Sequence, residues 1–320
     1  MNYTIEWAQA LRHCELCPRR CGVDRLAGQF GFCKAGPQVQ VFSYGAHPGE
    51  EPPISGSRGS GTVFFSRCTL RCLYCQNYLW SQEDGGDTYG VEELAAIFRR
   101  LRDEGCQNWN LVSPTPWLPL IVPALEQAAR GGLRLPVVYN TSGFERVATL
   151  RALQGVVDVY LTDLRYSRPE TALAGSEAPG YVELARTALL EMRRQAGQLR
   201  CDEQGAAVSG VICRLLILPG HAAEACENLD WLAANAGLEI ALSVMAQYTP
   251  AYRGVGREPW GRRIARDEYR MVCRKIDDLG FSRGWIQDYE SLVDSRLAGF
   301  NFKPRRKHNM RKRGSHERTQ

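Results

Sequence analysis

Three cysteines fall within the eight residues Cys68 to Cys75 of "CTLRCLYCQN", at spacings of four and three. On a helix these i, i+4 and i+7 positions would form one stripe, the pattern of a buried apolar face. Here the cluster directly follows an apolar, β-like run, "TVFFS", and is surrounded by Arg67, Arg71, Gln76 and Asn77. That setting suits a loop wrapped around a metal. A structural zinc ion takes four ligands, whereas only three thiols occur locally. Three thiolates holding a 4Fe–4S cube leave one iron open to an exchangeable ligand. A second set, Cys14, Cys17, Cys21 and Cys33, has the spacing C-x₂-C-x₃-C-x₁₁-C, with Pro18 turning the chain after the second thiol. Four thiols can close a tetrahedral zinc site or a further iron–sulfur or rubredoxin-like centre. Either would staple a segment that lacks a core of its own.

Seven of the twelve cysteines lie in these two clusters. Cys106, Cys201, Cys213, Cys226 and Cys273 are scattered, as small buried hydrophobes are. So many cysteines in a chain that reads as cytoplasmic argue for metal or redox chemistry, not a disulfide scaffold. The N-terminal "MNYTIEWAQALRHCEL" lacks the apolar segment of a signal peptide, and no apolar run is long enough for a membrane span. The chain is 44% hydrophobic and 23% charged, which describes a globular protein with a large core. The net charge of +5 is concentrated: eight Lys or Arg and one Glu between Lys303 and Gln320 give a local +7, so the remainder carries −2. Nucleic-acid binding is therefore expected only through the basic tail, if anywhere.

The elements that must position the thiols are short β runs alternating with helical stretches. The runs are "TVFFS" (62–66), "WNLV" (109–112), "PVVYN" (136–140), "VVDVYLTD" (156–163), "VICRLLIL" (211–218) and "IALSVM" (240–245). Helical periodicity occupies 91–105, 120–132, 144–155, 180–197 and 222–237, with Leu94, Ile97, Phe98 and Leu101 as one apolar stripe. Gly105, Gly132, Gly155 and Gly237 stand where helices close. Six β-then-α units predict an α/β fold, a partial (β/α)6 TIM-like barrel, with a further helix after residue 260 packed on its side. The expected organisation is a Cys-rich, irregular N-terminal extension over 1–60, the core over 61–290 and a disordered basic tail over 291–320. Right-handed crossovers place every strand's C-terminal end on one rim, where such folds carry their chemistry. That rim receives the Cys68 loop, then Ser113 and Thr115, then "NTSG" from Asn140, then Asp163 and Arg165, "LPGH" and Gln247. Asp163 reads equally as a helix N-cap or turn residue or as a ligand contact, and Arg214, within the fifth run, equally as a substrate contact or an inter-strand ion pair.

The C-x₃-C-x₂-C spacing, with Tyr74 before the last cysteine, resembles that of radical S-adenosylmethionine enzymes. Within them the chain is similar to the pyruvate formate-lyase activating enzyme group, in a PflX-like branch. The resemblance runs from about residue 10 to about residue 285. It is carried by "CELCPRRCGVDR" (14–25), "EEPPISGSRGSGTVFFSRCTLRCLYCQN" (50–77), "NLVSPTPWLP" (110–119), "VVYNTSGFE" (137–145), "VDVYLTDLRY" (157–166), "LLILPG" (215–220) and "MAQYTPAY" (245–252). It implies that Cys68, Cys72 and Cys75 hold a 4Fe–4S cluster and that S-adenosylmethionine is cleaved reductively to a 5′-deoxyadenosyl radical, which abstracts hydrogen from a substrate. A flavodoxin or ferredoxin would supply the electron, and the substrate would be a small molecule or a protein, as for an activase that installs a glycyl radical. Cofactor contacts are implied at Tyr74, Asn77, Ser113, Thr115, Asn140, Ser142, Asp163, Arg165 and Arg214.

The chain departs from the group where Asp-Thr-x-Gly becomes Asn140-Thr141-Ser142-Gly143 and Asp-Leu-Lys becomes Asp163-Leu164-Arg165. It departs again where Gly-Gly-Glu becomes Ser113-Pro114-Thr115. The lost carboxylate at Asn140 weakens a cation site, and the planar fork of Arg165 is not equivalent to a lysine ammonium. A small substrate would call for bulky rim residues such as Trp117 and Tyr248 to narrow the mouth. Two alternatives are a metal-binding nucleic-acid module and an iron–sulfur electron carrier. The near-neutral body and the rim position of the thiols oppose the first, and the open iron of a three-thiol site opposes the second.

Overall fold

The computed structural model describes residues 6–130 and 132–290. Its strands are β1 (Val39–His47), β2 (Ser60–Phe65), β3 (Asp87–Tyr89), β4 (Trp109–Val112), β5 (Val137–Thr141), β6 (Val159–Asp163), β7 (Arg200–Cys201), β8 (Ala207–Leu216), β9 (Ala241–Met245) and β10 (Gly284–Ile286). They form one sheet in the order β10-β9-β8-β6-β5-β4-β2-β1-β3, with β7 on β8. From β2 to β10 along this order every pairing is parallel, and β1 joins β2 and β3 antiparallel. The sheet is open, with β10 and β3 at its ends, and its architecture is α/β.

One expectation is extended and two are corrected. The helix Arg266–Leu279 packs beside the helix Ala222–Asn235 as expected, and it leads into β10, a seventh parallel strand that pairs with β9. Three residues beginning at Gly284 are too few for a strand pattern to register. The stretch before residue 60 is not wholly irregular, since β1 pairs with β2 over most of its nine residues. A register shift between Val41 and Ser43 breaks the two-residue alternation by which strands are recognised. The helix Leu118–Ala129 stops before Gly132, whereas Gly105, Gly155 and Gly237 take the left-handed conformation beyond their helices. The basic tail and residues 1–5 lie outside the described residues, and among those no helix is long and apolar enough to cross a membrane.

Two apolar layers follow from the period of two along each strand. Tyr139, Tyr160, Val211, Cys213 and Leu215 join the stripes of the helices: Leu94, Ile97, Phe98 and Leu101, then Leu189 and Met192, then Leu229 and Leu232. The intervening positions face the other way. Val138, Val159, Leu161, Ile212 and Ala241 make a small inner cluster stoppered by Ile54, on the short helix Pro52–Ser55. One step further along the same strands and on the same face stand Asn140, Asp163, Arg214 and Ser243. The inner face is thus apolar at its floor and polar at its C-terminal rim. The hydroxyl of Ser243 on β9 donates to Glu51 Oε1 at 2.9 Å, although Glu51 follows β1, near the opposite edge. This contact spans the concave side and shows how far the sheet curls.

Ile54 has no exposed surface and fills the inner floor. Ile54→Ala is expected to lower stability by about 3 kcal/mol, the usual cost of a cavity at such a site. Urea denaturation followed by far-UV circular dichroism would read this as a lower midpoint at unchanged slope.

Candidate functional site

The segment from Arg67 to Asn77 between β2 and the helix Tyr78–Ser81 contains no helix, so the cysteines do not form a helical stripe. The loop is held by contacts outside itself. Arg71 N–H and Leu73 N–H donate to the carbonyls of Ser176 and Gly175 (3.3 and 2.9 Å). Gln82 Nε2 donates to the Cys72 carbonyl (2.8 Å), and Arg19 Nε to that of Thr69 (3.2 Å). Donors also point at the sulfurs. Cys72 Sγ accepts from Ser176 Oγ (2.9 Å) and Arg165 Nη1 (3.2 Å), and Cys68 Sγ accepts from the Leu70 N–H (3.4 Å). Cys75 Sγ lies 3.2 Å from Ser81 Oγ. Burial pushes the Cys68 thiol up to about 12 and the Cys75 thiol up to about 11, in each case reinforced by the Cys72 thiol.

Cys68 and Cys75 border a cavity of about 220 Å³ that also receives Asn77, Ser113, Asn140, Ser142, Asp163, Arg165, Arg214 and Gln247. Seven of the nine residues implied as cofactor contacts are thus gathered around one cavity. Ser113 holds the left-handed backbone (φ 56°) in the turn after β4. Gly143, in the turn after β5, has φ +82°, and an added Cβ there would meet the Asp163 carbonyl.

The other two are placed elsewhere. Tyr74 is buried with its ring stacked on Trp260 at 5.0 Å and its hydroxyl 2.5 Å from that of Tyr166. Thr115 is buried too and donates to Glu145 Oε1 (2.6 Å). Trp117 and Tyr248, expected to narrow the mouth for a small substrate, are also in the core. Their polar atoms donate to the carbonyls of Ser66 and Trp260 (2.6 and 2.7 Å), and neither lines the cavity.

Electrostatics centre on Asp163. Arg165 Nε donates to its Oδ2 at 2.9 Å, and Arg214 Nε to its Oδ1 at 2.7 Å. The inter-strand ion pair is therefore what Arg214 makes, and Asp163 caps no helix, the next being preceded by Arg168. Burial alone would raise the Asp163 pKa, but the two guanidinium groups outweigh it and hold the carboxyl below its ordinary range. Arg214 Nη2 continues to Asn140 Oδ1 (2.7 Å), and Asn140 Nδ2 to Glu50 Oε2 (3.4 Å).

Glu50 and Glu51 line the same cavity and were missed in sequence. The doublet stood in plain view, but its partner Ser243 is 192 residues away and nothing in residue type joined them. Ser176 and Ser81, beside the sulfurs, carried no signal either.

The N-terminal thiols sit next to this site. Cys33 borders a second cavity, of about 230 Å³, that Cys68 also lines. Burial raises Cys17 and Cys33, with neighbouring thiols adding to it, and the Arg25 guanidinium lies close to Cys14 and Cys33. Among the described residues no three His, Cys, Asp or Glu side chains converge as ligands of one metal ion. A single ion draws its ligands to bond length around one point, whereas an iron–sulfur cube spaces its thiolates at separate iron corners. For Cys68, Cys72 and Cys75, the buried setting and the donors on sulfur suit the cube.

Such a rim, three thiols beside a buried ion-pair network at the C-terminal ends of a mostly parallel sheet, defines an α/β protein built around one polar chamber. The chain belongs to the family of the uncharacterized protein MJ0674 of Methanocaldococcus jannaschii. The two are 30% identical over 279 residues, covering 84% of this chain and 75% of that one. No protein-family model matches. Among solved structures, native anSMEcpe with bound AdoMet is similar at a TM-score of 0.45 and 12% identity, over 72% of this chain and 60% of that one. Native anSMEcpe with bound AdoMet and Kp18Cys peptide is similar at 0.45 and 13%, over 78% and 65%. The chain spans less than two thirds of the length of each.

Two outcomes are expected. Asp163→Asn removes the one carboxylate that both buried guanidinium groups grip and costs about 3 kcal/mol, read as a lower denaturation midpoint at pH 7. The second concerns Glu145, whose buried carboxyl accepts from Thr115 and Thr141 and is raised by burial to about 7. A carboxyl raised in the folded state adds stability that is complete below its unfolded pKa and lost as pH climbs through the folded value. Between pH 4.5 and 7 its share of stability therefore falls, and Glu145→Gln should flatten that fall in midpoints measured across the range.

Proposed function

We propose that this chain is a radical S-adenosylmethionine enzyme that abstracts hydrogen from a protein loop, as an activase does when it installs a glycyl radical on a partner. One observation carries the reading. A C-x₃-C-x₂-C loop sits at the C-terminal rim, and two of its thiols line a polar cavity. When bound, a 4Fe–4S cluster and S-adenosylmethionine would supply one-electron cleavage of the sulfonium and a 5′-deoxyadenosyl radical.

The chain's own residues do the rest. Cys68, Cys72 and Cys75 hold the cluster, while Ser176 and Arg165 donate to the Cys72 sulfur and tune its charge. Asn77, Ser113, Asn140 and Ser142 present polar groups to the cofactor from one wall, and the Asp163–Arg165–Arg214 network fixes that wall. Tyr74 and Thr115 act from behind it, by packing and through Glu145. The withdrawal of Trp117 and Tyr248 into the core removes the two rings that a small substrate would call for and supports a peptide loop; the rings that line the cavity are His47, Phe64 and Trp80. A flavodoxin or ferredoxin provides the electron. Cys14, Cys17, Cys21 and Cys33 are assigned to a second metal centre, iron–sulfur or zinc, which would have to draw these thiols together and would fix the N-terminal segment against the Cys68 loop.

The test is anaerobic reconstitution with iron and sulfide, reduction by dithionite, and addition of S-adenosylmethionine. The expected product is 5′-deoxyadenosine, with a changed electron paramagnetic resonance signal when the cofactor binds. Cys72→Ala should abolish both. A cluster present at four irons per site without 5′-deoxyadenosine would overturn the proposal, as would cleavage that survives Cys72→Ala.

A further inference from the structure

Glu50 and Glu51 hold none of the thiols and are not needed to complete the pairing of Asp163, yet both line the chamber that Cys68 and Cys75 border. Glu51 is 9% exposed and accepts the Ser243 hydroxyl on Oε1 at 2.9 Å; its Oε2 is shut from solvent with no hydrogen-bond donor. Glu50 Oε2 has a long contact from Asn140 (3.4 Å) and an Arg214 nitrogen at 4.0 Å. Arg214 engages Asp163 through Nε and Asn140 through Nη2 at 2.7 Å each, and its Nη1 stays beyond hydrogen-bond reach of Glu50.

Three carboxylates, Asp163, Glu50 and Glu51, thus face two guanidinium groups, Arg165 and Arg214. His47 lines the same cavity, but burial lowers its pKa, so it does not supply the missing charge near pH 7. Burial, the neighbouring Glu51 charge and Asp163 push Glu50 up to about 7 against Arg214 and the Asn110 amide. A buried acceptor without a donor and a second carboxyl buried beside it are both costly. Both are relieved by one positively charged hydrogen-bond donor.

We propose that Glu50 and Glu51 form the recognition site for an organic cation, the ammonium or guanidinium group of a Lys or Arg side chain on the substrate. A metal ion is the poorer occupant, because among the described residues no three ligating side chains converge there. An alkylammonium needs only what is present: carboxylate oxygens in a desolvated pocket, where charge-assisted hydrogen bonds are strong. The assignment rests on the reading of this chamber as a substrate site, and it names the chemistry of the substrate.

The test is isothermal titration of the full-length chain with n-butylammonium, n-butylguanidinium, n-butanol and Mn²⁺, each alone. One or both organic cations should bind and n-butanol should not. Glu51→Gln should weaken the cation by about tenfold or more, while Glu83→Gln, at an exposed position, should leave it unchanged. In the wild type at pH 6.5, binding should release a proton from Glu50, seen as a heat that depends on the buffer's ionisation enthalpy. That measurement decides the matter if the Glu51→Gln variant does not fold.

Equal binding of n-butanol, binding of Mn²⁺ alone, full affinity after Glu51→Gln or absence of proton release would overturn the proposal. So would displacement of n-butylammonium by S-adenosylmethionine, which would make the cofactor's own amine the occupant. Cation binding in a protein that never cleaves S-adenosylmethionine would sink the radical reading and leave this site standing. Cleavage without cation binding would sink this site alone.

Discussion

The carboxylate of Asp163 is the constraint on which the site depends. It is the last residue of β6, buried, and gripped from two sides by guanidinium groups of different origin. Arg214 comes from the neighbouring strand and passes the tie to Asn140 on β5. Arg165 comes from the turn just beyond and reaches the sulfur of Cys72. One carboxylate therefore sets the relative positions of three strand ends and of the loop that has no regular structure of its own. In a low-dielectric setting such a pairing tolerates little displacement, because a partner that moves leaves a buried charge behind.

The sheet supplies that setting through its period of two. Each central strand gives its inner face an apolar residue at the floor and a polar one at the rim: Val138 then Asn140, Leu161 then Asp163, Ile212 then Arg214, Ala241 then Ser243. The floor excludes water and keeps the strands together, and the rim is left free for polar groups at no cost to the layer under the helices. Ile54 completes the floor from the segment after β1, and the preceding residues Glu50 and Glu51 face the chamber. A short helix beginning at Pro52 joins these two roles, with proline at a position where its missing N–H is harmless.

Much of this was legible in sequence, and what was legible shares a physical character. The six runs that became β2, β4, β5, β6, β8 and β9 are β-branched and apolar because both faces of a parallel sheet are covered. Their order fixed which residues meet at the rim, so the gathering of Ser113, Asn140, Asp163, Arg165 and Arg214 followed from topology alone. What escaped lacked a repeating signal. Strand β1 carries a register irregularity, β10 is three residues long, and Glu50 depends on contacts that cross most of the chain. Tyr74 and Thr115 illustrate a different limit. Proximity in sequence to the thiols or to a strand end does not say which way a side chain turns, and both turned inward to aromatic and carboxylate partners.

The N-terminal thiol segment follows from the same reasoning about loops. The Cys68 loop forms no ladder with the sheet, so its backbone groups must be met from elsewhere. Part of the answer is Ser176 and Gly175, and part is the segment around Phe32. The guanidinium groups of Arg19 and Arg71 lie 3.7 and 4.1 Å from the Phe32 ring, and Arg71 also donates to the Phe32 carbonyl at 3.0 Å. The two cysteine segments thereby brace one another, and the cavity that Cys33 shares with Cys68 lies at their junction. A metal held by the first set would stiffen the platform against which the second is fixed.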